Sequence, residues 1–304
     1  MNTENSKSVL MLILKSMALG TLGIFFPVLY IFFPMLFLTE ALEQGMFKIL
    51  LAFIGVCLLI GVISPVLGFG IFTLFGPLIL MLHYCITTKR GVLETLSAST
   101  AVLFTAFLVL MHTTGILELM KDPNLPAQIL ETQKEVLKNL GVAKETLSTF
   151  DRGFPLMFQR MLEILPSILV ILSLVISYVT FSFTGRNLLR KGKLIGQPPS
   201  FIFFSLPSGL LPISVGLIVM GFIGGEALEG TWEIMMTNVT VLFGFLFFIQ
   251  GLSVLSFFAS KFKVLSILKW IALFFIILTP GIQVPIVMMG LMEYVFNFRR
   301  IQRL

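Results

Sequence analysis

His112, Asn238, Gln250, Gln283, Glu293 and Asn297 stand inside or at the ends of otherwise apolar stretches. Polar and ionisable side chains in hydrocarbon are costly, and they mark a functional site by default. The stretch 96–117 adds a stripe. Ser99, Thr105, Ala106, His112 and Thr113 recur at three- and four-residue steps, which places them near one face of a helix. Such a face either packs against a neighbouring helix or lines a cavity. If it lines a cavity, the substrate-binding candidates are His112, Thr105, Asn238, Gln250 and Glu293, a set of neutral donors and acceptors with one carboxylate, suited to a small-molecule solute or a proton. Glu293 precedes Arg299 and Arg300 by six and seven residues, too far for pairing along a continuous helix. It is therefore expected to turn inward toward a polar partner, the neighbouring Arg cluster or a residue on another span, with Gln250 the first choice.

Enzyme chemistry finds little support. No Walker A lysine loop, HExxH pair or GxSxG elbow is present, and no nucleophile–base pair is visible. His83 and His112 are not spaced as a metal pair, and Cys57 and Cys85 form neither a metal site nor a disulfide framework. No cofactor, no metal and no enzymatic activity is expected. The glycine pairs Gly20–Gly23, Gly68–Gly70 and Gly224–Gly225 match no phosphate fingerprint and read as small residues for close helix packing.

The elements that must position these residues are membrane helices. Hydrophobic residues make up 57% of the 304-residue chain and charged residues 12%, against about 25% charged in a soluble domain. The mean hydropathy is +1.02. A span needs about 20 mostly apolar residues. Lys48–Ser64, Gly68–Ile86, Leu96–Leu117, Leu162–Thr184, Phe201–Gly224 and Asn238–Ala259 meet that need. Val9–Leu38 is broken by Pro27 and Pro34, and Val264–Phe298 by Pro280, Gly281 and Pro285. Each is read as a hairpin of two short segments, because broken helices are tolerated where their freed backbone faces protein or a cavity. The expected fold is an all-α polytopic transmembrane helical bundle of six to ten membrane segments with two proline-broken hairpins, forming a single integral membrane domain over residues 1–304. The first apolar run continues past Phe37 without a small-residue cleavage site, so it is expected to be retained.

Charge sets the orientation. Of 21 basic residues, 15 lie in 1–15, 39–48, 85–94, 185–200, 259–269 and 297–304, whereas 118–163 and 226–233 hold six basic and ten acidic residues. The positive-inside rule then places both termini in the cytoplasm. The basic loop Arg186, Arg190, Lys191 and Lys193 either fixes topology or also meets anionic lipid headgroups. The net charge of +6 needs no nucleic acid to explain it. Residues 118–160 form an extracytoplasmic insert. Within it, Ala127–Leu140 reads as an amphipathic helix on the membrane surface, with a second near Lys144–Phe150.

Four stretches carry a resemblance: Pro27 and Pro34 in the first hairpin, "PPSFIFFSLPSGL" at Pro198–Leu210, "QGLSVLSFF" at Gln250–Phe258 and "GLMEYVFNFRR" at Gly290–Arg300. Together they resemble the YybS-like family of predicted bacterial integral membrane proteins of unknown function. That family is similar to the substrate-binding S components of energy-coupling-factor transporters. The resemblance implies a helical bundle with an outward-opening ligand cavity and no ATPase of its own. The family's ending favours an acidic residue after Gly-Leu and an Asp-Phe-Arg triplet. Here Glu293 keeps the first in kind, and Asn297 stands where the second acid would be.

Two functions follow as expectations. One is a solute-binding or transporter-like subunit working with a separate energising membrane subunit. The other is a non-transport scaffold that binds lipid or a partner during envelope assembly. A cavity lined by His112, Asn238, Gln250 or Glu293 marks the first, and internal pairing of the polar residues marks the second.

Overall fold

The computed structural model describes residues 3–140, 144–196, 198–224, 231–261 and 266–301. Glu226, Glu229, Lys263 and Arg303 of the charge pattern lie outside them. The described residues are helical and contain no strand. The helices are α1 (Thr3–Phe25), α2 (Phe33–Gln44), α3 (Met46–Ile63), α4 (Pro65–Thr87), α5 (Val92–Thr113), α6 (Ile116–Leu119), α7 (Leu125–Asn139), α8 (Lys144–Arg190), α9 (Leu210–Gly224), α10 (Thr231–Lys261), α11 (Ser266–Leu278) and α12 (Pro280–Phe296). Contacts divide the chain into two compact units. One is Met1–Gln159 with Leu172–Pro198, and the other is Arg160–Ile171 with Pro199–Leu304.

Among the described residues five helices are long and apolar enough to cross a membrane: α3, α4, α5, α10 and the Phe150–Arg190 part of α8. A sixth crossing arises if α11 and α12, bent by 109° at their break, count as one. Among the described residues the candidate crossings thus number five, one below the expected six to ten, or six with the bent pair, and the other expected segments are short helices cut by Pro and Gly. The expected span Phe201–Gly224 is one of these. Its first part is a 3₁₀ turn at Phe201–Phe203 followed by non-helical chain, and only Leu210–Gly224 is α-helix. Pro199, Pro207 and Gly209 account for this, because proline cannot donate to the helical ladder. The second surface helix expected near Lys144–Phe150 is not separate and forms the start of α8.

In the first unit the proline-broken hairpin closes as expected. Pro27 opens a 3₁₀ turn over Pro27–Phe32, while Pro34 sits in the first turn of α2, where its missing N–H costs nothing. The Tyr30 hydroxyl donates to the Gly20 carbonyl at 2.8 Å. A Cβ on Gly23 would run into the Tyr30 ring, so these glycines serve packing. Phe33, Phe37, Phe53 and Phe75 interlock at centroid distances of 5.1–6.4 Å, in the offset and edge-on geometries aromatic rings favour. A Cβ on Gly68 would meet the Cys57 carbonyl and Gly61 backbone, so α3 and α4 cross at van der Waals range. In the second unit α10 and α12 cross more closely still. A Cβ on Gly251 would overlap the Ile286 carbonyl, and one on Gly290 the Phe247 carbonyl. Small residues at a crossing let backbones approach where lipid supplies no hydrophobic drive.

Candidate functional site

The irregular chain before α9 is where the second unit's buried polar residues converge. Non-helical backbone in an apolar setting needs partners for every N–H and C=O. Here α10 and α12 supply them. Gln250 Oε1 accepts the Leu206 N–H at 3.0 Å. Ser253 Oγ lies 2.6 Å from the Phe201 carbonyl. The Tyr294 hydroxyl lies within hydrogen-bonding reach of the Pro207 carbonyl, at 2.9 Å, and of the Ser208 carbonyl, and accepts the Leu211 N–H at 3.3 Å. Arg299 donates from Nη1 to the Ile202 carbonyl at 2.9 Å and to Ser253 Oγ at 2.7 Å. Its Nη2 donates to the Phe204 carbonyl at 2.9 Å.

Arg299 Nε completes the arrangement by donating to Glu293 Oε1 at 2.9 Å. Glu293 is 3% exposed and Arg299 7%. The sequence leaves the neighbouring Arg cluster open as a partner, out of reach only along a continuous helix, and favours Gln250; the partner is Arg299, and the preference for Gln250 is corrected. α12 ends at Phe296, and Asn297 takes the left-handed conformation with φ 48° and ψ 52°, so the chain doubles back instead of rising further. Asn tolerates this conformation better than most residues. Its side chain also fixes the turn, with Oδ1 accepting the Ile301 N–H at 3.0 Å and Nδ2 donating to the Ile301 carbonyl at 3.1 Å. Glu293 Oε2 has no hydrogen-bond partner among the described residues.

Asn238 performs a similar service on α8. Its Oδ1 accepts from the Ser167 N–H at 3.0 Å and the Ser167 hydroxyl at 2.6 Å, and its Nδ2 donates to the Glu163 carbonyl at 2.7 Å. Pro166 lies between those residues and interrupts the ladder there. Gln283 Nε2 donates to the Ile277 carbonyl at 3.0 Å, at the break before α12.

The α5 stripe does not join this cluster. Ser99 is buried and donates to the Thr95 carbonyl at 2.7 Å, while Thr105 donates to the Ala101 carbonyl at 2.9 Å. Thr105 and His112 are exposed. An open groove of about 360 Å³ between α4 and α5 is lined by residues including Thr73, Pro77, Ala101, Thr105 and Val109. It is predominantly apolar and takes in Thr105 alone of the substrate-binding candidates.

Half of the basic loop is engaged within the first unit. Lys191 pairs with Glu43 and lies 3.7 Å from Glu40, and Lys193 lies 3.9 Å from Glu43. The Glu43 hydrogen bond raises the Lys191 pKa above its ordinary value. Arg186 sits over the Phe183 ring at 5.6 Å, and Arg190 is exposed. No group of three or more metal-ligating side chains occurs among the described residues.

Sequence reasoning missed Ser253 and Tyr294 as members of the cluster and left Arg299 as one open partner of Glu293. Ser253 had a usable signal, since it follows Gln250 by three residues on the same helical face.

Residues 10–293 match the model of the family described as Predicted membrane protein (DUF2232), and the chain belongs to that family. It is a multi-pass, all-α membrane protein. No curated protein and no solved structure matches it.

Proposed function

We propose that the chain is a non-enzymatic membrane scaffold that binds lipid or a partner membrane protein. The observation that supports this reading is the internal pairing of Asn238, Gln250 and Glu293, each engaged with backbone or with Arg299. The exposed His112 and the apolar groove beside Thr105 suit lipid or a helix more readily than a polar solute. The setting is a bacterial plasma membrane, in keeping with the resemblance to YybS-like proteins, and both termini are cytoplasmic, supported by the distribution of basic residues.

The solute-binding, transporter-like reading retains one specific observation. Glu293 Oε2 is buried without a partner among the described residues, and an unmatched carboxylate oxygen at a broken-helix element is where a transporter takes a proton or solute. The resemblance to YybS-like proteins and S components leans the same way.

Native mass spectrometry of the protein extracted from its own membrane separates the two. Retained phospholipid or a stoichiometric membrane partner without an ATPase is the expected result. A retained small polar molecule together with an ATPase module would replace this reading with the second one.

A further inference from the structure

α8 runs for 47 residues, about 70 Å at 1.5 Å per residue, more than twice the roughly 30 Å of a hydrocarbon core. Its charge-free part runs from Ile164 to Gly185, about 33 Å of helix and one core thickness. Asp151, Arg152, Arg160 and Glu163 precede that part, so the first third of α8 extends beyond the hydrocarbon. This outer third is not polar all round. At 100° per residue Phe150, Phe154, Met157 and Phe158 share one face, opposite Arg152 and Gln159. The Phe150–Phe154 and Phe154–Phe158 rings lie 5.3 and 6.1 Å apart along it, and Met157 is 68% exposed.

α7 has the same character. Ile129, Val136 and Leu140 share a face opposite Glu131, Lys134 and Lys138, and Leu140 is 73% exposed. Lys134 and Asp151 lie 2.8 Å apart and tie the two helices together. Hydrogen-bonded turns run from Gly115 to Leu125 and keep α7 close to the end of α5, a membrane-crossing helix.

We propose that α7 and the outer third of α8 lie in the headgroup layer at the membrane surface where α5 and α8 emerge, with these apolar faces turned to the acyl boundary. The occupant of the two faces is lipid. Continuity with two membrane-crossing helices supports this, and so does the pattern of a charged face against an apolar one. Residues 118–163 hold six basic and seven acidic side chains, so apolar insertion and not attraction to anionic lipid holds the helices down. Pro155 and Pro166 each remove a backbone N–H from the ladder on either side of the boundary, positions at which a helix can bend. The inference is independent of the choice between scaffold and solute-binding subunit.

The test uses the full chain in nanodiscs of phosphatidylcholine, with and without added phosphatidylglycerol. Spin labels are placed one at a time at Val136→Cys, Met157→Cys, Glu131→Cys and Glu135→Cys, in a Cys57→Ala, Cys85→Ala background. Labels at 136 and 157 should favour oxygen over a water-soluble nickel chelate by several-fold, and labels at 131 and 135 the reverse, equally in both lipids. Equal nickel access at all four positions would overturn the proposal. So would labels at 136 and 157 shielded from both reagents, which would mean a protein cover such as a second copy. The unmodified chain gives an independent check. A photoactivatable lipid reactive at the acyl boundary should label peptides covering 125–139 and 150–159, and the absence of such adducts would contradict the assignment.

Discussion

Arg299 reaches back to Glu293 across six residues and one left-handed turn, donating from Nε to Oε1 at 2.9 Å with both side chains closed off from solvent. The same guanidinium binds two carbonyls of the irregular chain before α9. One cation therefore holds the end of α12, the Ser253 position of α10 and the non-helical segment together. An uncompensated buried charge is expensive, so each partner depends on the other.

The turn that makes this possible predicts a contrast at Asn297. Asn297→Gly should lose only the two side-chain bonds to Ile301, because glycine takes a left-handed conformation freely. Asn297→Val should lose the same bonds and be less stable than Asn297→Gly by a further ~1–2 kcal/mol, the cost of a β-branched residue at positive φ. Thermal unfolding of the two variants in detergent checks the difference, and equal stabilities would mean that the turn is not needed.

The α10–α12 crossing predicts a second contrast. Gly290→Ala places a methyl against the Phe247 carbonyl, whereas an alanine at Gly244 meets nothing within 4 Å. Gly290→Ala should cost about 1–3 kcal/mol through overpacking. Gly244→Ala should be neutral or slightly stabilising through helix propensity. Folded yield and melting temperature report both, and a neutral Gly290→Ala would count against the close crossing.

Lys191 predicts a pH effect with a definite sign. Its folded-state pKa is raised by the Glu43 hydrogen bond. The stabilisation is therefore complete below the ordinary lysine value of about 10.4 and is lost as pH rises through the higher folded value. Wild type and Lys191→Gln should differ in stability at neutral pH and converge as the pH passes into that alkaline window. A difference that persists unchanged there would contradict the pairing.

The positive-inside assignment predicts a labelling pattern. In a background lacking Cys57 and Cys85, an external impermeant thiol reagent should modify Asn124→Cys and spare Gly192→Cys. The reverse pattern would invert the proposed topology.

Much of the fold was legible in the sequence, because length and hydropathy govern membrane helices and Pro27 and Pro280 mark their breaks, whereas Pro285 lies inside α12. The Phe201–Gly224 segment misled for a physical reason. Its hydropathy is that of a span, but its prolines prevent a continuous helix, and the buried side chains that satisfy its backbone come from α10 and α12. The inward face of Glu293 was legible from the cost of a lipid-facing carboxylate. Its partner was not, because reach along a helix says nothing once Asn297 reverses the chain. Thr105 and His112 shared a helical periodicity with Ser99, yet only Ser99 is buried. Periodicity defines a face without saying what covers it.

A double-mutant cycle on Glu293 and Arg299 tests most directly whether the buried polar groups hold the fold or wait for a solute. Glu293→Gln, Arg299→Met and the double variant would be unfolded reversibly in mixed micelles. Internal pairing predicts that either single change costs about 3–5 kcal/mol. It also predicts that the double change costs less than the sum, by about 1–3 kcal/mol of coupling. Wild-type stability in both single variants, with no coupling, would contradict the account and return Glu293 to the role of a proton or ligand site.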